Sequence, residues 1–176
     1  NYTIQLENDV HVDENVDVLK ADVSNETVVP FMSYSSAAYK DNEELDSITV
    51  EVMDTGEALE ILDLRKTDKK TILNLRNSGV IVSEKYAKNH KLKKGDTITV
   101  ESYNGVKADV IIADICEMYF QHYLFMSDDY YNKTFNEKVH DTSIAVKSND
   151  VESLNKDTLL LKDYSSTFDF SNMIAN

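Results

Sequence analysis

Apolar side chains never run for more than four residues in succession, the longest stretches being Val110 to Ala113 and Tyr123 to Met126. A membrane-crossing helix needs about 20, so this sequence contains no such segment. The apolar residues fall instead into short alternating runs and three- or four-residue spacings, the pattern of short strands mixed with short amphipathic helices. Leu, Ile, Val and Phe supply 48 of the 176 residues. That is well above the roughly 20% below which a chain stays disordered. The length suits one domain or two small lobes sharing a core.

The formal net charge is −14, and only Arg65 and Arg76 are arginines. Nucleic-acid binding depends on clustered Lys and Arg releasing counterions from phosphates, so that class is excluded. A chain beginning at Asn1 without an initiator Met or a signal-peptide pattern is expected to be a processed or excised piece. The single cysteine, Cys116, cannot form an internal disulfide and says nothing of compartment.

Tyr2 to Leu6 alternates as a strand, and Val12, Val16, Leu19 and Val23 recur at helical spacing behind Asp13, an N-cap candidate. Thr27 to Met32 is again extended, with Pro30 expected at an edge or bulge. The polar stretch Lys40 to Glu44 is expected to separate this β-α-β unit from a strand at Ile48 to Val52. Farther on, Val80-Ile81-Val82 leads into Ser83, a predicted cap for a helix from Glu84, with Val82 and Ala87 spaced as a hydrophobic staple. Gly95-Asp96 turns the chain into Thr97 to Val100, and Asn104-Gly105 predicts a two-residue type I′ hairpin leading into Val106 to Ile115.

Tyr119 to Met126 reads as a buried aromatic strand, followed by a helix capped by Ser127 with Asp128 and Asp129 in its first turn. Met126 and Tyr131 repeat the staple spacing, and Tyr131 and Phe135 lie one turn apart. Ser143 to Lys147 is a strand, Ser148 to Asp150 caps a short helix holding Val151 and Leu154, and Leu159 to Leu161 is read as a last strand.

Four scattered glycines cannot form a phosphate-cradling loop, and there is no G-x-S-x-G elbow. Cys116 sits in an apolar context that favours a buried, inert thiol over a nucleophile paired with His122. His11, His90, His122 and His140 are too dispersed for a zinc motif. The acidic pairs Asp13/Glu14, Glu43/Glu44 and Asp128/Asp129 are most simply solvated faces or helix starts. Asp13 to Asp17 lacks the central Gly and final Glu of a calcium loop. No catalytic, cofactor or metal residue is therefore assigned, and the aromatic Tyr119 to Phe135 region is left as core or as a protein-binding patch.

Three segments together resemble the FtsX-like permeases of ABC transporters, and within them the MacB-core type of extracytoplasmic domain. They are Gly79 to Ile98 with its Ser83-Glu84 and Leu92-Lys93-Lys94-Gly95-Asp96 signatures, Tyr119 to Phe135, and Phe168 to Ile174. The resemblance implies an α+β fold in two lobes, a β-α-β lobe of residues 1–45 plus 140–176 and an inserted mostly-β lobe of residues 46–139. It implies a non-catalytic domain on the extracellular side of a cell membrane in a Gram-positive bacterium. It also implies the membrane-embedded remainder of the permease and a separate ATPase subunit as partners, with an extracellular peptide, lipid-linked or cell-wall partner, and no cofactor. The alternatives are a secreted surface hydrolase using His122 and carboxylates, and a surface adhesin or assembly subunit.

Overall fold

The computed structural model describes residues 1–68, 70–118 and 121–170. These form β1 (Tyr2–Leu6), α1 (Val12–Ala21), β2 (Asn25–Lys40), β3 (Glu43–Met53), α2 (Thr55–Ile61), β4 (Val80–Ser83), α3 (Glu84–Asn89), β5 (Thr97–Glu101), β6 (Lys107–Cys116), β7 (Tyr123–Ser127), α4 (Asp128–Phe135), β8 (Ser143–Ser148), α5 (Val151–Thr158) and β9 (Tyr164–Asp169). The α+β class expected from the resemblance is the class observed.

One long strand organises the molecule. The first half of β2 pairs antiparallel with β8 through Asn25 to Phe31, and β8, β1 and β9 follow as an open antiparallel sheet. From Met32 to Lys40 the same strand pairs with β3. β3 then pairs with β7, β7 with β4, β4 with β6 and β6 with β5, and β5 returns to β2 at Ala38 and Tyr39. Six strands therefore close into a small barrel that shares β2 with the open sheet.

Period-two alternation assigns each side chain to a core. Val50 and Val52 of β3, Val80 and Val82 of β4, Ile98 and Val100 of β5, Val110 and Ile112 of β6, and Leu124 and Met126 of β7 fill the barrel. Small barrels have interiors just wide enough for such packing, and Tyr86 of α3 and Tyr130, Tyr131 and Phe135 of α4 join the same cluster. Along β2, Val28 enters the core beneath α1 and α5, with Ile4, Leu19, Ile144, Val146 and Leu154, and Met32 enters the barrel. The other face of β2 carries Val29 and Phe31 into a third core. That core lies between the open sheet and the barrel's outer wall and includes Ile61 of α2, Leu64, Leu73, Leu75 and Phe125. Each such fully buried side chain contributes roughly 1.5–3 kcal/mol.

Several local expectations are corrected. The α1 N-cap position is His11, without a side-chain cap bond, and Asp13 lies inside the helix. Val23 falls beyond α1 and is 94% exposed. The polar stretch Lys40 to Glu44 is a tight hairpin between two long strands, with Asp41 and Asn42 both at positive φ. The Asn104-Gly105 hairpin exists, but only Gly105 has positive φ; its turn closes with Gly105 N donating to Ser102 O and Ser102 N donating to Val106 O, a longer loop than type I′. Leu159 to Leu161 is no strand: it follows the end of α5, Leu159 is 83% exposed, and the last strand is β9. Pro30 pairs with Ile144 of β8 before β2 reaches β3, a local edge where its missing N–H is harmless. The expected aromatic strand begins at Tyr123, while Tyr119 and Phe120 lie outside the described residues, as do residues 171–174 of the third resembling segment.

Candidate functional site: an apolar cleft between sheet and barrel

Where the open sheet meets the barrel's outer wall there is a cleft of about 360 Å³. The alternation that sends Ile48, Val50 and Val52 inward turns Thr49, Glu51 and Met53 outward into it. β7 adds Tyr123 and Phe125, whose rings stack at 5.7 Å and 16°. The open sheet contributes Thr3 and Gln5 from β1, Phe31 and Ser33 from β2, Ala145 from β8 and Phe168 from β9, and Leu62, Leu64 and Met118 complete the apolar lining.

Glu51 is the one ionisable carboxyl on this lining among the described residues. Its Oε2 is closed off from water and has no hydrogen-bond partner. Its cross-strand partner is Ser33. Burial pushes the Glu51 carboxyl up to about 8, and the Ser33 hydroxyl offsets only part of that. Burial, and then the Glu51 charge, push the Tyr123 hydroxyl up to about 12. At neutral pH the cleft therefore holds a protonated carboxyl among aromatic and aliphatic side chains.

The residues weighed from sequence lie elsewhere and do not converge. Cys116 ends β6 fully buried, its thiol pushed up to about 12 by burial, the inert reading expected of it. His122 lies with its ring 5.1 Å from that of Tyr86, a side chain of the barrel core, on the opposite face of the sheet from Glu51. His11, His90 and His140 each meet one carboxylate, Asp163 at 2.7 Å, Asp46 at 3.0 Å and Asp9 at 3.5 Å, at three separate places. Among the described residues no three His, Cys, Asp or Glu side chains are grouped to hold a metal. Asp128 does meet other acids: burial, then Asp141, Asp54 and Glu57, push its carboxyl up to about 6. Sequence reasoning missed Glu51 because alternation places it on the outer face of β3, and only the fold shows that face to be covered.

No family model matches the chain, and no curated protein sequence matches it. Solved structures do. The extracellular domain of the noncanonic ABC-type transporter YknZ from Gram-positive bacteria superposes with a TM-score of 0.55 at 16% identity, over 95% of this chain and 100% of that one. The periplasmic region of MacB from Actinobacillus actinomycetemcomitans superposes with a TM-score of 0.57 at 15% identity, over 97% of this chain and 89% of that one. The chain thus has the fold of an extracytoplasmic domain of the MacB type, as the sequence resemblance implies.

Proposed function

We propose that this chain is the extracytoplasmic domain of an ABC transporter permease, a non-catalytic module that couples ATP-driven motion of the membrane part to binding or export of a peptide, lipid-linked or cell-wall partner. The observation that carries this is the end-to-end fold likeness to the YknZ extracellular domain. The edge of the open sheet supports it: β1 and β9 are antiparallel, Phe170 N donates to Asn1 O at 3.0 Å, and the two ends of the described chain leave side by side. A domain inserted between two membrane helices needs that geometry. In this reading the lobe of residues 1–45 plus 140–176 holds the open sheet and the lobe of residues 46–139 most of the barrel, with Met32 to Lys40 of β2 and the start of β3 reaching from the first into the second. Force entering at β1 and β9 crosses the sheet to β2 and reaches the barrel along one 16-residue strand.

Labelling in intact cells tests this. Because Cys116 is buried, Val23→Cys adds one exposed thiol to this domain, and the full-length gene product without the substitution sets the labelling background. A membrane-impermeant maleimide should label it from outside the cell, and the gene should encode apolar helices before Asn1 and after Asn176. Labelling only after lysis, or a gene without those helices, overturns the proposal.

A further inference from the structure

We propose that the cleft between sheet and barrel is a binding site for a small apolar cation, an aromatic or aliphatic amine, with the Glu51 carboxylate as its counter-ion. This stands on the cleft alone and does not depend on the permease reading.

Three features converge. A buried carboxyl oxygen with no partner carries an unrepaid desolvation penalty, yet Glu51 Oε2 is in that state on the wall of the cleft. A donor brought by a ligand would remove the penalty. Volume and chemistry fit a small molecule: about 360 Å³ lies in the range of ligand sites, which are mainly apolar with a few placed polar groups. Charge then chooses among ligands. No Lys or Arg lines the cleft among the described residues, the chain carries −14, and the stacked Tyr123 and Phe125 present π-faces that attract cations. An anion would find no cationic partner on this lining among the described residues.

The proton balance follows from the surroundings of Glu51. Tyr123 of β7 is the titratable group that faces it, β1 and β2 present the neutral Gln5 and Ser33, and Ala145 of β8, Phe168 of β9, Leu62 and Leu64 present apolar groups, while Asp63 between the two leucines is not on the lining and pairs with Arg65 at 3.0 Å. Tyr123 stays protonated throughout the neutral range. When an ammonium ion enters at pH 7, the Glu51 carboxylic acid gives its proton to the buffer, and the resulting carboxylate accepts hydrogen bonds from the ammonium. One proton is released per amine bound.

Isothermal titration of the 176-residue chain at pH 7 with 1-naphthylmethylamine, run in phosphate and in Tris, reads this directly. The expected result is saturable binding with about one proton released, at least tenfold tighter than the uncharged isostere 1-naphthalenemethanol. Glu51→Gln should abolish both the proton release and the preference for the amine. The proposal is overturned if amine and alcohol bind alike, if neither binds, if binding releases no proton, or if Glu51→Gln keeps the preference. The amine–alcohol comparison needs no variant, so it decides the matter even if Glu51→Gln folds poorly.

Discussion

Ser33 and Glu51 stand directly opposite each other in the β2–β3 ladder, on the outer wall of the barrel, yet Glu51 Oε2 remains without a hydrogen bond. The carboxyl titrates near 8 in the folded chain and near 4.5 when unfolded. Between those values the native state keeps a proton that the unfolded state gives up, so stability falls as pH rises from about 4.5 to about 8. The cost at pH 7 is on the order of 2–3 kcal/mol. Glu51→Gln removes it, and thermal melts should show the variant more stable by several degrees at pH 7, with the difference gone at pH 4.

Asp128 opens α4 on a surface shared with Asp141, Asp54 and Glu57, and its carboxyl is pushed up to about 6 by burial and those like charges. The sign is the same as for Glu51, with stability falling as pH rises from about 4 to about 6. Because the residue is half-buried, solvent screens the repulsion and about 1 kcal/mol is the appropriate scale. Asp128→Asn should therefore stabilise the chain at pH 7 by about that amount, more at low salt than at high salt, in urea titrations.

The two serines that precede helices are predicted to fail differently. Ser127 Oγ accepts from Tyr130 N at 3.0 Å and donates to Asn77 Oδ1 at 2.8 Å, a true helix cap. Ser83 makes no cap bond; its hydroxyl donates to Gln121 O at 2.8 Å and accepts from Tyr123 N at 3.0 Å, tying β4 to the entrance of β7. Ser127→Ala should cost about 1–2 kcal/mol and speed hydrogen exchange in the first turn of α4. Ser83→Ala should instead speed exchange at Tyr123 and leave the α3 amides unchanged.

Sequence was legible where one local signal sufficed. Ser127, Asp150 and Gly95 do what cap and turn chemistry asks of them, and alternation marks β1 and the Ile48 to Val52 part of β3 because one face of each is apolar and the other polar. β9 was illegible for the opposite reason: Tyr164 to Asp169 is an edge strand with no fully buried residue, so no apolar period betrays it. The neighbouring Leu159 to Leu161 run imitates a strand in composition, but it follows α5 with Leu159 and Leu160 in solvent and only Leu161 packed against the core. α2, seven residues long with only Ala58 and Ile61 buried, also gives too little period to detect. Barrel closure, and with it the cleft, depends on β2 running through a register shift between Ser36 and Ala38 to meet both β3 and β5, a non-local outcome.

Gly79 sits where the chain enters β4 against β6. A Cβ built there would lie 2.6 Å from Ile111 O and 2.8 Å from Ala113 Cβ, both on the neighbouring strand. Neither atom can move without shifting β6, whose Val110 and Ile112 are fully buried in the barrel. The positive φ that explains Gly95 plays no part here, because the constraint is close approach of two backbones. Gly79→Ala should destabilise the chain by about 1–3 kcal/mol through overpacking. Gly105→Ala, with open space around its Cβ position, should lose only the smaller cost of its left-handed backbone, about 1 kcal/mol. Parallel urea titrations rank the two, and an equal or greater loss at Gly105 would show that the β4–β6 contact is looser than this geometry requires.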